Sequence, residues 1–153
     1  MEPAWTFEHS ATVHADREAA WQFWSDVRNW TVVDPAVEWV CLDGPFEAGS
    51  CGRTKPLGAP STQWTLVAVE PARRAVIELA APGAVVRFVW MLDDDGGGTI
   101  LKQRVELEGD QAAQYLDAIK GLAENIPAGM NKLVLAIEAT ASGAPKKSLE
   151  ANS

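Results

Sequence analysis

Seven apolar residues near the C-terminus constrain this chain more than any other feature. Leu116, Ile119, Ala123, Ile126, Met130, Leu133 and Ile137 recur at alternating intervals of three and four, which puts them on one face of a helix. Spread over Asp110 to Thr140, such a helix is a rod of ~45 Å at ~1.5 Å per residue. A stripe that long needs a broad partner, and the residues before it offer mainly strands. The predicted floor is therefore a sheet. Gly121, Pro127 and Gly129 interrupt the helix. A proline inside a helix lacks the backbone donor and clashes with the preceding turn, so the pattern predicts a kink. A kinked helix on a curved sheet leaves a gap, and that gap is the expected place for function.

The strands can be read in order. Trp5, Phe7, His9, Ala11 and Val13 alternate with polar residues and predict a half-buried first strand. Asp16 suits the N-cap of a helix over Arg17 to Ser25, with Glu18 in its first turn. A second helical turn is expected at Asn29 to Val33, ended by Asp34-Pro35. Six more strands follow: Val37–Asp43, Cys51–Leu57, Gln63–Glu70, Ala75–Ala81, Val85–Leu92 and Thr99–Glu108. Glycine- and proline-rich turns of hairpin length separate them, which argues for one antiparallel sheet. The expected class is α+β: a seven-stranded curved antiparallel sheet around a long C-terminal helix, with two short helices between strands one and two. One domain over residues 1–141 and a tail over 142–153 complete the division.

Composition narrows the function. A net charge of −8 excludes a nucleic-acid surface and an anionic membrane partner. Every long apolar run is broken by Arg87, Pro82 or Asp93, so no membrane span is expected. The N-terminus has neither a basic start nor an apolar core segment, so no signal peptide is expected and a cytoplasmic location is the default. Cys41 and Cys51 flank the turn 43–49, where they would meet only as a hairpin pair; whether they bridge stays open. Of the seven tryptophans most are expected in core packing, and aromatic-rich interiors are also what small-molecule pockets are made of.

The element order, with the segments AAWQFWSDVRNW, LDGPFEAGSCGR, GGGTILKQRVELEG and GMNKLVLAIE, resembles the START-related, pollen-allergen-like (SRPBCC) superfamily. The resemblance spans Trp5 to Ala139 and lies closest to its polyketide cyclase/dehydrase-like branch. It implies a helix-grip fold with a deep hydrophobic cavity between sheet and long helix. Members bind lipids, hormones or polyketides, and a few catalyse cyclisation. No catalytic signature common to the family carries over to particular residues here.

The chemistry-bearing residues are few. His9 shares the inner strand face with Trp5 and Phe7, and imidazole titrates near neutral pH. Gln103 shares a face with Leu101 and Val105, a lone amide in an apolar wall that needs a partner, either His9 or a ligand. Both positions also suit plain structural roles. Arg87 is expected outside as a solvated charge, and Asp93 to Asp95 as a solvated turn. His9 and His14 lie on opposite faces, and no metal or other cofactor is expected. The expected lining is Trp24, Trp30, Trp39, Trp64, Phe88 and Trp90, with Ile126 and Met130 from the helix.

Three readings follow. The chain binds a small hydrophobic, aromatic or polycyclic molecule; or it is a cyclase/dehydratase-like enzyme using His9 for proton transfer, with Gln103 orienting; or it is a protein-interaction module of chaperone-activator or toxin type. The expected partner is a small molecule, and the expected state a monomer or homodimer.

Overall fold

Alternation of side chains in the first thirteen residues sets the first strand, and the rest of the sheet is built onto it. The computed structural model describes residues 3–141. The expected tail, 142–153, lies outside the described residues. Strand β1 (Trp5–Val13) is followed by helix α1 (Arg17–Trp24), a single 3-10 turn (Val27–Asn29) and the one-turn helix α2 (Trp30–Val33). Then come β2 (Val37–Asp43), β3 (Cys51–Pro56), β4 (Thr62–Glu70), β5 (Arg74–Ala81), β6 (Ala84–Asp95) and β7 (Gly98–Glu108). A 3-10 turn at Ala112–Tyr115 leads into α3 (Leu116–Glu124) and α4 (Ile126–Ala141).

All seven strands form one sheet in the order β1-β7-β6-β5-β4-β3-β2, every neighbouring pair antiparallel. The chain starts on one edge, crosses the whole width through α1 and α2, and meanders back until β7 closes against β1. Register shifts at Val37/Trp39 and Leu66/Ala68 bend the sheet. Helix α4 packs on β1 and α1, so the sheet wraps the C-terminal helix in a helix-grip arrangement. Among the described residues, no helix is long and apolar enough to cross a membrane.

Local chemistry explains the element ends. The Asp16 carboxylate accepts from the Ala19 N–H at 2.8 Å and caps α1. The C-terminal helical stretch begins at Leu116, six residues after Asp110, because the Gln111 N–H is held by the Gly83 carbonyl at 2.8 Å. The Tyr115 hydroxyl adds a bond to the Pro82 carbonyl at 2.8 Å. Both ties pin the helix entrance to the β5–β6 hairpin. Further on, the predicted kink is a break at Asn125. The Asn125 N–H turns to Leu122 at 3.1 Å, and α4 restarts so that Pro127 falls in its first turn, where no backbone donor is needed.

Arg87 departs from its expected role. It stands on the outer face, but its side chain is only 24% exposed and donates to Glu78, Glu106 and Glu108 at 3.0, 3.0 and 3.1 Å. Register brings Glu78 and Glu106 to either side of it, so β6 carries an ion-pair cluster and not a solvated charge. The bond to Glu108 first, then those to Glu106 and Glu78, hold the guanidinium well above its usual range against partial burial. The acidic turn is also more ordered than expected. Strand β6 runs through Asp95, and Asp94 pairs with Arg17 at 2.9 Å.

Candidate functional site

The inner face of the sheet is assembled by alternation alone. Reading across the strands, His9 lies opposite Gln103, Gln103 opposite Trp90, and Trp90 opposite Ala75. The next row is Phe7, Val105, Phe88 and Ile77. The inner positions Trp5 to Val13 of β1, Thr99 to Leu107 of β7 and Val86 to Leu92 of β6 are uncharged apart from the titratable His9, and the same series on β6 ends at Asp94, which pairs with Arg17.

Above this face lies an aromatic cluster centred on Trp24. Its ring centroid is 5.1 Å from Trp90, 5.3 Å from Phe46, 5.6 Å from Trp21 and 5.9 Å from Trp30. Trp30 continues to Trp64 at 5.3 Å. Two of these indoles are fixed by hydrogen bonds: Trp30 Nε1 donates to the Trp24 carbonyl at 2.7 Å, and Trp64 Nε1 to Thr54 Oγ1 at 2.9 Å. The buried Asn29 holds the connecting turn by donating to the Phe23 carbonyl at 2.9 Å. Gly52 is required beneath Trp64, since a Cβ there would come within 2.2 Å of the ring.

Coverage of the inner face is uneven. From Ala123 onward the helical stripe is buried, including Ile126, Met130, Leu133 and Ile137. Upstream of the break, Leu116 and Ile119 are only half-buried and Leu122 is exposed. On the sheet, Phe88 and Trp90 are likewise half-buried although β6 has a neighbouring strand on each side. The less covered apolar side chains are therefore Leu116 and Ile119 on α3 and Phe88 and Trp90 on β6. Two hollows of about 450 and 420 Å³ lie elsewhere on the surface, one at Thr12, His14 and residues 95–98, the other around Cys41, Cys51 and Gln63.

The polar groups of the inner face are unusual. Gln103 is only 7% exposed, yet its amide bonds to no protein group, and His9 is also without a hydrogen bond. The register pairing of His9 and Gln103 was expected; a bond between them is not formed. No buried side-chain nitrogen or oxygen among the described residues is sealed off without a partner, so the Gln103 amide must reach solvent-accessible space. Among the described residues, no three His, Cys, Asp or Glu side chains come together as a metal site.

The expected lining residues do not all come together. Trp24, Trp30, Trp64, Phe88 and Trp90 belong to the cluster or the inner face. Trp39 does not: the irregular register after Val37 leaves it 38% exposed, while Val40 and Leu42 face the core. Ile126 and Met130 pack into the core at 8% and 2% exposure, at the closed end of the stripe. Sequence reasoning missed Leu116 and Ile119, which were legible as the part of the stripe before the proline. It also missed Phe46, the single large apolar residue in the 44–49 loop. Cys41 sits opposite Arg53 and Cys51 opposite Asp43, so the two thiols are diagonal neighbours, and both are free.

A seven-stranded antiparallel sheet gripping a C-terminal helix, with two short helices crossing between its edges, defines a helix-grip protein. A family model described as polyketide cyclase / dehydrase and lipid transport matches residues 4–138, and the chain belongs to that family. Solved structures share the fold at low identity. Ara h 8.0201 superposes with a TM-score of 0.70 at 16% identity, covering 91% of this chain and 98% of that one. Truncated norcoclaurine synthase from Thalictrum flavum gives 0.69 at 12% identity, with 92% and 95% covered. The ZhuI aromatase/cyclase from Streptomyces sp. R1128 gives 0.68 at 20% identity, with 88% and 94% covered. No curated protein sequence matches the chain.

Proposed function

We propose that the protein binds a small hydrophobic molecule, aromatic or polycyclic, between the inner face and α3. The observation that carries this reading is the incomplete cover of Phe88 and Trp90 on the interior strand β6, together with that of Leu116 and Ile119 on α3. A sheet centre built only for stability would be sealed, because burying an aromatic ring fully contributes about 2–3 kcal/mol that a half-open ring forgoes in part. The Trp24–Trp30–Trp64 rings form one end wall, and flat aromatic surfaces suit a flat ligand. Binding parts the rings and α3, the helix segment with the least buried face.

The family description, with its lipid transport and cyclase members, supports a small-molecule ligand. So does norcoclaurine synthase, solved in complex with dopamine and hydroxybenzaldehyde. The test is native mass spectrometry of freshly purified protein for a co-purified small molecule, paired with quenching of tryptophan fluorescence by a hydrophobic panel. Micromolar quenching by planar aromatics is expected. An unquenched emission spectrum across the panel would sink the reading.

The pairing of His9 with Gln103 favours a second reading, a cyclase/dehydratase-type enzyme. His9 would move a proton on an enolisable ketone while Gln103 orients the carbonyl. A His9→Ala variant with undiminished turnover of such a ketone removes this reading and leaves the first intact.

A further inference from the structure

Strand β2 is one edge of the sheet, and its outer face carries chemistry that a ligand held under α3 does not use. On β2, Val40 and Leu42 face the core, so Cys41 and Asp43 alternate to the outer face. On β3, Gly52 lies under the Trp64 ring, so Cys51 and Arg53 share that outer face. Register sets Cys41 opposite Arg53 and Asp43 opposite Cys51, which leaves the two thiols as diagonal neighbours. Both are free, Cys41 exposed and Cys51 partly so. They line one hollow of about 420 Å³ together with Arg53 and Gln63. Cys51 Sγ lies 3.8 Å from the hydroxyl of Thr65, its partner on β4, which keeps the thiol on the outer face.

We infer that Cys41 and Cys51 form a two-coordinate site for a soft monovalent cation of the Cu(I) class. Spacing decides between the two things a thiol pair can do. Diagonal residues of an antiparallel pair have Cα atoms ~7–8 Å apart, whereas a disulfide needs about 4.4–6.8 Å and draws its sulfurs to ~2.05 Å. Two metal–sulfur bonds of about 2.3 Å, set in line, hold the sulfurs ~4.6 Å apart, which suits the wider spacing. Ligand count then selects the metal. Structural zinc takes four ligands, and among the described residues no three His, Cys, Asp or Glu side chains come together. A pair of soft thiolates favours Cu(I). On binding, each thiol releases its proton to solvent and each sulfur forms one bond to the cation, so the complex carries one net negative charge. Arg53 is placed to offset that charge: it is exposed, stands opposite Cys41 and makes no ion pair among the described residues. Asp43 acts in the opposite sense, but it is exposed and screened by water.

The experiment titrates the full chain with Cu(I), held reduced in the absence of air, against the competing chelator bathocuproine disulfonate. Native mass spectrometry then counts the bound metal. One Cu(I) per chain is expected, with the loss of both thiol protons. Cys41→Ser, Cys51→Ser and Cys51→Ala should each lose the competition with the chelator, as the Cys41→Ser/Cys51→Ser double variant does. Zn(II) offered in place of Cu(I) should leave the mass of the unaltered chain unchanged. A single-cysteine variant that holds Cu(I) as firmly as the unaltered chain reduces the site to one thiol and overturns the inference. So does an unaltered chain that captures no Cu(I), or one that takes Zn(II) in preference to it.

Discussion

Gly52 and Gly121 receive the same substitution, and the structure assigns the two opposite signs. Gly52 lies on β3 opposite Trp64, and a Cβ built there would stand 2.2, 2.3 and 2.7 Å from three atoms of the Trp64 ring. Ordinary contact begins near 3.4 Å, so the ring has to retreat by about 1.2 Å. It has little room. Trp64 is 3% exposed, donates to Thr54 at 2.9 Å and packs against Trp30 with ring centroids 5.3 Å apart. Overpacking costs about 1–3 kcal/mol, and weakening the indole hydrogen bond about 1 kcal/mol more. Gly52→Ala should therefore destabilise by about 2–4 kcal/mol, a fall in Tm of roughly 10 °C at this chain length. Gly121 is an exposed position in α3 with nothing near its missing Cβ. There the methyl group only restricts the unfolded chain, and Gly121→Ala should stabilise by about 0.5–1 kcal/mol. Thermal melts followed by far-UV circular dichroism read both, and the Gly52 variant should also shift tryptophan emission. A Gly52→Ala protein melting within 2 °C of the unaltered chain, with unchanged emission, would refute the placement of Trp64 against β3.

Three other outcomes follow from the same geometry. Gln103→Leu should stabilise the ligand-free protein by about 1 kcal/mol, because an apolar side chain replaces a largely buried amide that makes no protein hydrogen bond; a lower melting temperature would mean that the amide supports the fold. Pro127→Ala should join α3 to α4 and change affinity for 2-naphthol, a planar aromatic probe, more than Lys132→Ala does, since Lys132 is exposed; equal effects in titration would take the break out of the functional account. Acid should weaken the outer face: the hydrogen bond from Arg104, then that from Arg87, hold the Glu106 carboxyl below its usual range against partial burial. A depressed folded-state value gives stability that is full above the unfolded value of about 4.3 and is lost as pH falls through the folded one. Melts of Glu106→Gln below about pH 4.3 should thus show a flatter acid limb, and an unchanged limb would contradict the pairing.

What could be read from the sequence was whatever rests on period. The 3-4 stripe and the two-residue alternation gave the seven strands, their turns and the face on which His9 and Gln103 lie, because those depend only on local spacing. Where long-range ties decide, the reading failed. The helical start moved from Asp110 to Leu116 because Gly83 and Pro82, near one another only in the folded sheet, capture Gln111 and Tyr115. Trp39 left the lining because of a register irregularity that alternation does not reveal. Arg87 looked like one more surface charge until cross-strand register set three carboxylates around it. The stripe is tightly buried from Ala123 onward and looser at Leu116 and Ile119, upstream of the break at Asn125.

The most direct test of the proposed binding site is a two-dimensional 1H–15N spectrum of the tryptophan indoles, assigned by single Trp→Phe substitutions and titrated with 2-naphthol. The indole signals of Trp90 and Trp24 should move in saturable fashion with one shared affinity, while Trp39, on the outer face, stays still. Movement of Trp39 alone, or no movement of Trp90 and Trp24 up to the solubility limit of 2-naphthol, would contradict a binding site between the sheet and α3.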